Sequence, residues 1–202
     1  MITRFYTLFI IIISFILICY LNLYVQKIGN EFYSSQDGKN RNAQVYDILH
    51  NLLPDKHEKG WLTNLIAIVS IIPLLLHFNV KFIFEYVGML FTIFIFRAIT
   101  INVTILPRHE KCDITEGFMT PFIGGCFDKI FSGHFAFVFM LSLLYYSYKY
   151  ITNIPFLVGW NIMNALVIIS TRSHYTIDII VSALVCYIVY DDDLNFFKLL
   201  NK

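Results

Sequence analysis

Apolar residues gather along this chain into long runs, and charge is confined to the stretches between them. A bilayer core about 30 Å thick is crossed by about 20 apolar residues in a helix. Phe5 to Gln26 is one such run, free of Asp, Glu, Lys and Arg. Trp61 to Val80 is a second, with Pro73 as a tolerated helix kink. The third, Phe82 to Leu106, is interrupted by Glu85 and Arg97. Ile130 to Tyr148 carries His134, Tyr150 to Thr171 follows it, and Tyr175 to Tyr190 carries Asp178. The short connections around Lys81 and Lys149 make helical hairpins. The pattern predicts an all-α polytopic membrane protein with six transmembrane helices and short loops.

This divides the chain into a first transmembrane helix (1–26), a polar loop with an amphipathic helix (27–60), a transmembrane catalytic core of five helices (61–190) and a polar tail (191–202). The amphipathic helix is read over Val45–Asp55, ended by Pro54, on the membrane surface. The first span follows Arg4 as a secretory signal would. It is too long for one and lacks an A-x-A-like cleavage site, so it is read as a retained helix.

Composition supports the membrane reading: 57% of residues are hydrophobic and 14% charged, against about 45–50% and about 25% in soluble domains. A disordered chain is excluded. With a net charge of +1, so is a nucleic-acid binder driven by bulk charge. Of the four cysteines, Cys19 and Cys186 sit in apolar runs as packing residues, and Cys112 and Cys126 flank one polar loop.

Ionisable residues inside apolar runs are costly and default to function. With six spans, both termini share one face, and His134 and His174 both lie at the other. They are 40 residues apart, the round trip of two helices of about 20 residues each. His174 and Asp178 stand at i, i+4, one turn apart on one helix face. A carboxylate there fixes the imidazole tautomer and frees the other nitrogen as nucleophile or base, unless the pair merely pins helix packing. Ser132 would cap the fourth span, Gly133 lets a ligand approach the backbone, and a helix N-terminus favours an anion such as phosphate. Asp128 either orients His134 or is a solvated loop acid. Arg97 needs an anion, whether phosphate or a structural carboxylate at Asp178 or Glu85. Glu85 lies near an interface and reads as structural; His50, His57 and His109 read as solvated.

Four stretches resemble motifs of the sphingomyelin synthase family. Cys126-Phe127-Asp128-Lys129-Ile130-Phe131-Ser132-Gly133-His134 is similar to C-G-D-x-x-x-S-G-H. His174-Tyr175-Thr176-Ile177-Asp178 and the residues up to Ala183 are similar to H-Y-T-x-D-V-x-x-A. Arg97 to Pro107 is similar to R-x-x-T-x-x-V-T-x-L-P, and Leu53-Pro54-Asp55 matches a short L-P-D element. The family includes ceramide phosphoethanolamine and inositol phosphorylceramide synthases and joins the lipid phosphate phosphatases more distantly. Phe127 and Phe135 depart from the family's Gly and Thr, and Leu184 and Val185 from its aromatic residues. The third loop is short and the family's N-terminal helical extension is absent. Arg172 looks more like the plant inositol phosphorylceramide synthases.

The resemblance implies an enzyme that transfers a phospho-headgroup, phosphocholine first among the candidates, from a glycerophospholipid donor to ceramide. Diacylglycerol is released through a phosphohistidine intermediate, and no metal or cofactor takes part. It implies catalytic roles for His134, His174, Asp178 and Asp128. Substrate contacts fall to Arg97, Ser132, Gly133, Tyr175, Arg172 and a third-loop Glu, for which Glu116 is chosen over Glu110. It implies an integral protein of the Golgi, endoplasmic reticulum or plasma membrane with an exoplasmic site, where Cys112 and Cys126 would pair. The count of basic residues on the two faces points mildly the other way. Oligomeric state, including a homo-oligomer, stays open. The rivals are a lipid phosphatase, although its K-x₆-R-P motif is missing, and an inactive lipid-binding membrane protein. A transporter is disfavoured by the lack of repeats.

Overall fold

The computed structural model describes residues 2–34, 45–107 and 125–196, and all regular structure among them is helical. The helices are α1 (Ile2–Ser34), α2 (Ile48–Leu52), α3 (Trp61–Leu76), α4 (Val80–Val103), α5 (Gly133–Ser147), α6 (Ile154–Ser170) and α7 (Thr176–Asp191). A 3-10 turn over His57–Lys59 leads into α3. Helix α1 runs on past the apolar stretch through the polar residues Lys27 to Ser34. The segment before Pro54 makes only five helical residues, Ile48–Leu52, a shorter amphipathic helix than the pattern predicts.

Three apolar segments have the length to cross a membrane: Phe9–Tyr33, His57–Leu76 and Val80–Val103. Helices α5 and α6 are apolar but have 15 and 17 residues, and α7 has 16. Helices α5 and α6 fall short of the spans predicted, because polar caps cut into each apolar run, whereas α7 matches the predicted run Tyr175–Tyr190 to within one residue at each end. Ser132 accepts from the Phe135 N–H and starts α5 two residues after the run begins. Lys149, in the left-handed region at φ 58°, follows its end. Asn153 caps α6 by accepting from the Phe156 N–H, with Pro155 in the first turn. Asn79 likewise caps α4 through the N–H groups of Lys81 and Phe82.

Helix α5 is the centre of the bundle and packs against α3, α4, α6 and α7, while α1 packs on α4. The consecutive helices α3 to α7 alternate in direction. At one end, the Tyr148 hydroxyl, just past α5, donates to Glu85 at the start of α4, and Asn195, beyond α7, donates to the Glu85 carbonyl (3.1 Å). Phe82 stacks there with Tyr145 and Tyr150, ring centroids 5.5 and 5.4 Å apart. At the other end meet the C-terminal ends of α1, α4 and α6 and the N-terminal ends of α3, α5 and α7. Tyr33 donates to the Ile105 carbonyl (3.0 Å), Lys56 N–H to the Ser170 carbonyl (2.8 Å), and Ser132 N–H to Ser182 Oγ (2.8 Å). The expected return of His134 and His174 to one end of the bundle is therefore observed.

Phe82, Ile93, Phe131, Met140 and Leu141 are fully buried, whereas Ile12, Ile16, Leu65, Ile68, Phe84, Ile162 and Leu184 face outward. Helices that are apolar on every side suit a lipid surround. In lipid, association gains little from the hydrophobic effect, so close packing carries the fold. Leu141→Ala, which opens a cavity beside α5, is expected to cost about 2 kcal/mol or more. Leu65→Ala, at a position 43% exposed, is expected to cost far less. Thermal unfolding of both variants in one detergent checks the difference.

Candidate active site

The site is built where α5 and α7 begin. Asp178 lies in the first turn of α7 and is fully buried. Its Oδ2 accepts from the Tyr175 N–H (2.9 Å) and meets His174 Nδ1 at 3.0 Å, and its Oδ1 accepts from the Ile130 N–H (2.8 Å). A carboxylate withdrawn from water needs such partners. His174 Nε2 makes no hydrogen bond among the described residues, so the pair leaves one imidazole nitrogen unengaged. Ile130 holds φ at 74°. That is a strained conformation for a β-branched residue, costing about 1–3 kcal/mol, and it aims the N–H at Asp178.

Ser182, one turn further along α7, ties the two helix starts together. Its Oγ accepts from the Ser132 N–H and donates to the Asp178 carbonyl (2.7 Å). Ser132 itself is consumed as the α5 cap and is fully buried, so its hydroxyl orders the helix start. Gly133 keeps the approach to that start open: a Cβ there would stand 3.5 Å from Arg97 Nε and 3.6 Å from Phe94. His134 follows, half-buried, and its Nε2 lies 2.7 Å from Asn64 Oδ1 on α3.

Several expected partners are different ones. Asp128 is bonded by Arg97, and both side chains are about 5% exposed. The group on His134 Nε2 is Asn64, not Asp128. Arg97 pairs with neither Asp178 nor Glu85; beside Asp128 it donates to Asn22 Oδ1 (3.0 Å), and its Nε is buried without a partner. Arg172, at φ 58°, turns away from the histidines and donates to the carbonyls of His50 (2.8 Å) and Leu53 (3.0 Å). Its Nη1, like Arg97 Nε, is buried without a hydrogen-bond partner among the described residues. The Tyr175 hydroxyl donates to the Pro107 carbonyl (3.1 Å), so it too is engaged by protein. Glu116 and Cys112 lie outside the described residues; Cys126 is disulfide-bonded, and Cys19 and Cys186 are free thiols.

Sequence reasoning missed the clamp over the loop that carries His174. Asp47 caps α2 and also accepts from Thr176 N–H and Oγ1, both at 2.7 Å. His50 is not solvated: its Nε2 is 3.0 Å from the His174 carbonyl and its ring lies 5.1 Å from that of Tyr175. Lys129 is buried and donates to the Ser173 carbonyl. The polar side of α2 thus faces the bundle, while Tyr46, Ile48 and Leu52 are exposed. A signal existed in the Leu-Pro-Asp element, where Leu53 and Asp55 meet Arg172. Asn64, a lone amide one turn into an apolar helix, was a second.

A cleft of about 220 Å³ opens between α3, α4 and α5, lined by Asn64, Ala67, Phe94, Arg97, Gly133, His134 and Phe137. Its polar lining sits at the site end and Ala67, Phe94 and Phe137 continue it with apolar surface. A lipid with a charged head and a greasy body matches that gradient. No group of three or more metal-ligating side chains occurs among the described residues.

Comparison with known proteins agrees with this chemistry. Residues 125–192 match the family described as PAP2 superfamily C-terminal. This is a superfamily of lipid phosphatases and phosphotransferases, and the match supports phosphoryl chemistry on lipid phosphates at that coarse level. It covers about a third of the chain, holds Asp128, His134, Arg172, His174 and Asp178, and does not single out sphingomyelin synthases. No curated protein and no solved structure matches the chain.

The clamp carries a pH dependence. Burial pushes His50 below its ordinary value of 6.5, against the pull of the His174 carbonyl and Asp47; the charges of Arg172 and Lys129 add to the lowering. Burial raises the Asp47 carboxyl, but bonds from Thr176 and His50 outweigh it and hold it below the usual range. For both groups the folded value is depressed, so their contribution is present above the unfolded value and is lost as pH falls. For His50 the loss starts below about 6.5. Amide exchange over residues 45–56, corrected for intrinsic rates, is expected to quicken between pH 7.5 and 5, and Asp47→Ala to quicken it at pH 7.5.

Proposed function

We propose that this chain is an integral membrane lipid headgroup phosphotransferase. It moves a phospho-headgroup, phosphocholine first among the candidates, from a glycerophospholipid to the primary hydroxyl of ceramide. The observation that carries the reading is the His174–Asp178 pair with its free Nε2, set at the same end of the bundle as His134. His174 Nε2 attacks phosphorus, the P–O bond to diacylglycerol breaks, and protonated His134 gives its proton to the departing oxygen. A phosphoramidate on His174 remains. His134 then removes the proton of the ceramide hydroxyl, the new P–O bond forms, and the P–N bond breaks to return His174. The nucleophile divides one difficult displacement into two easier ones. Asp178 fixes the tautomer and steadies the positive ring as the P–N bond forms.

Anion binding falls to the start of α5 and to Arg97, whose Nε is left without a protein partner. Asp128 is proposed to act through Arg97, holding its guanidinium beside Gly133. Tyr175 and Arg172 are proposed to shape the nucleophile loop. Six membrane spans with an exoplasmic site fit the disulfide at Cys126, since disulfides persist in oxidising compartments. Lys129 and Arg172, which bias the charge count towards a cytosolic site end, are spent on carbonyls of the clamp.

The test is headgroup transfer by purified protein in mixed micelles. Fluorescent short-chain ceramide is offered with phosphatidylcholine, phosphatidylethanolamine or phosphatidylinositol in turn. A new polar sphingolipid is expected with one donor, no product with His174→Ala, and a rate lower by about 10²-fold or more with Asp178→Asn. Diacylglycerol release without a sphingolipid product would replace the transferase by a hydrolase. Undiminished turnover in His174→Ala would sink the nucleophile assignment.

A further inference from the structure

We infer that Asn64 is the positioning residue of His134 and that Nδ1 of His134 is the atom that gives and takes the proton. The inference rests on the phosphotransfer reading and extends it to a helix, α3, that lies outside the matched stretch of residues 125–192.

The geometry fixes the assignment. An amide oxygen only accepts, so the 2.7 Å contact between Asn64 Oδ1 and His134 Nε2 puts the imidazole proton on Nε2. Nδ1 has no protein partner among the described residues. Both side chains line the cleft between α3, α4 and α5, so the ring is presented to whatever occupies it. Helix α3 is otherwise apolar along the face that opens there. Asn64 is exposed to the cleft, where an unbonded amide beside lipid would be unfavourable.

The two histidines are thus held by opposite nitrogens and by groups of different charge. His174 is held at Nδ1 by the carboxylate of Asp178. A negative holder suits a nucleophile whose ring becomes positive as it bonds phosphorus. His134 is held by a neutral amide, which orients the ring without trapping its proton. That suits a group which must donate in the first step and accept in the second. The titratable and charged groups near His134 are Arg97 on α4, Asp128 ahead of α5 and His174 ahead of α7. Arg97 and Asp128 neutralise one another, which leaves the neutral Asn64 to set the tautomer.

The experiment pairs kinetics with imidazole ¹⁵N spectra of histidine-labelled protein in micelles. Resonances of His134 are identified by their loss in His134→Gln. In the unsubstituted protein His134 is expected to carry its proton on Nε2; a proton on Nδ1, or an even mixture, would overturn the inference whatever the variants do. Asn64→Leu is expected to lower kcat by about 10-fold or more with KM within about 3-fold, and to give mixed tautomers. Asn64→Asp keeps an acceptor oxygen in the same place and is expected to restore the Nε2 proton and to raise kcat about 3-fold or more above Asn64→Leu, while staying below the parent because its charge holds the His134 proton more tightly than the amide does. Equal kcat in Asn64→Leu and the parent would overturn the positioning role, as would equal loss in the Leu and Asp variants with both folded. A parent protein that transfers no headgroup from any donor would refute the phosphotransfer reading, while its spectrum would still report the Asn64 bond.

Discussion

A carboxylate buried among apolar helices has to be satisfied by the protein itself, and in this chain that carboxylate is Asp178. It takes hydrogen bonds from two backbone N–H groups, Ile130 and Tyr175, and meets the His174 ring, with no exposure at all. The partners come from two pieces of backbone, His174 and Tyr175 just ahead of α7 and Ile130 ahead of α5. The Tyr175 bond closes the first turn of α7, and the Ile130 bond brings in the segment ahead of α5 at the expense of a left-handed conformation. The His174 bond sets the reactive ring. Loss of the carboxylate would loosen the α5–α7 junction and the His174 ring together.

The remainder of the site extends this junction outward. Ser182 bridges Ser132 and Asp178 across the helix starts. Arg97 joins α4 to Asp128 and to Asn22 of α1, so a helix that contacts mainly α4 still reaches the centre. The Asp47–His50 segment closes over the His174–Thr176 loop from the outside. Polar groups inside lipid have few alternative partners, which is why so many of these bonds run between helices distant in sequence.

Much of this was legible in the chain. The apolar runs located the helices, because lipid tolerates backbone only where its bonds are made internally. The pairing of His174 with Asp178 was expected, but helical periodicity does not make it: His174 precedes the first helical residue, Thr176, Tyr175 is extended at the N-cap, and Asp178 reaches back from the first turn of α7. Span counting returned His134 to the same end. Less legible were the helix limits: the apolar runs outlast the helices at Ser132 and Asn153, where local capping bonds decide the boundary.

The sequence by itself determined an all-helical membrane architecture and the gathering of His134, His174 and Asp178 at one end, because composition and span length act along the chain. Only the tertiary structure decided the partners across helices. It gave Asp128 to Arg97, Asn64 to His134, Arg172 to the carbonyls of His50 and Leu53, and Thr176 to Asp47. Periodicity states which face of a helix is polar. It leaves open how far each helix rotates and slides against its neighbours, and a hydrogen bond of about 3 Å depends on both.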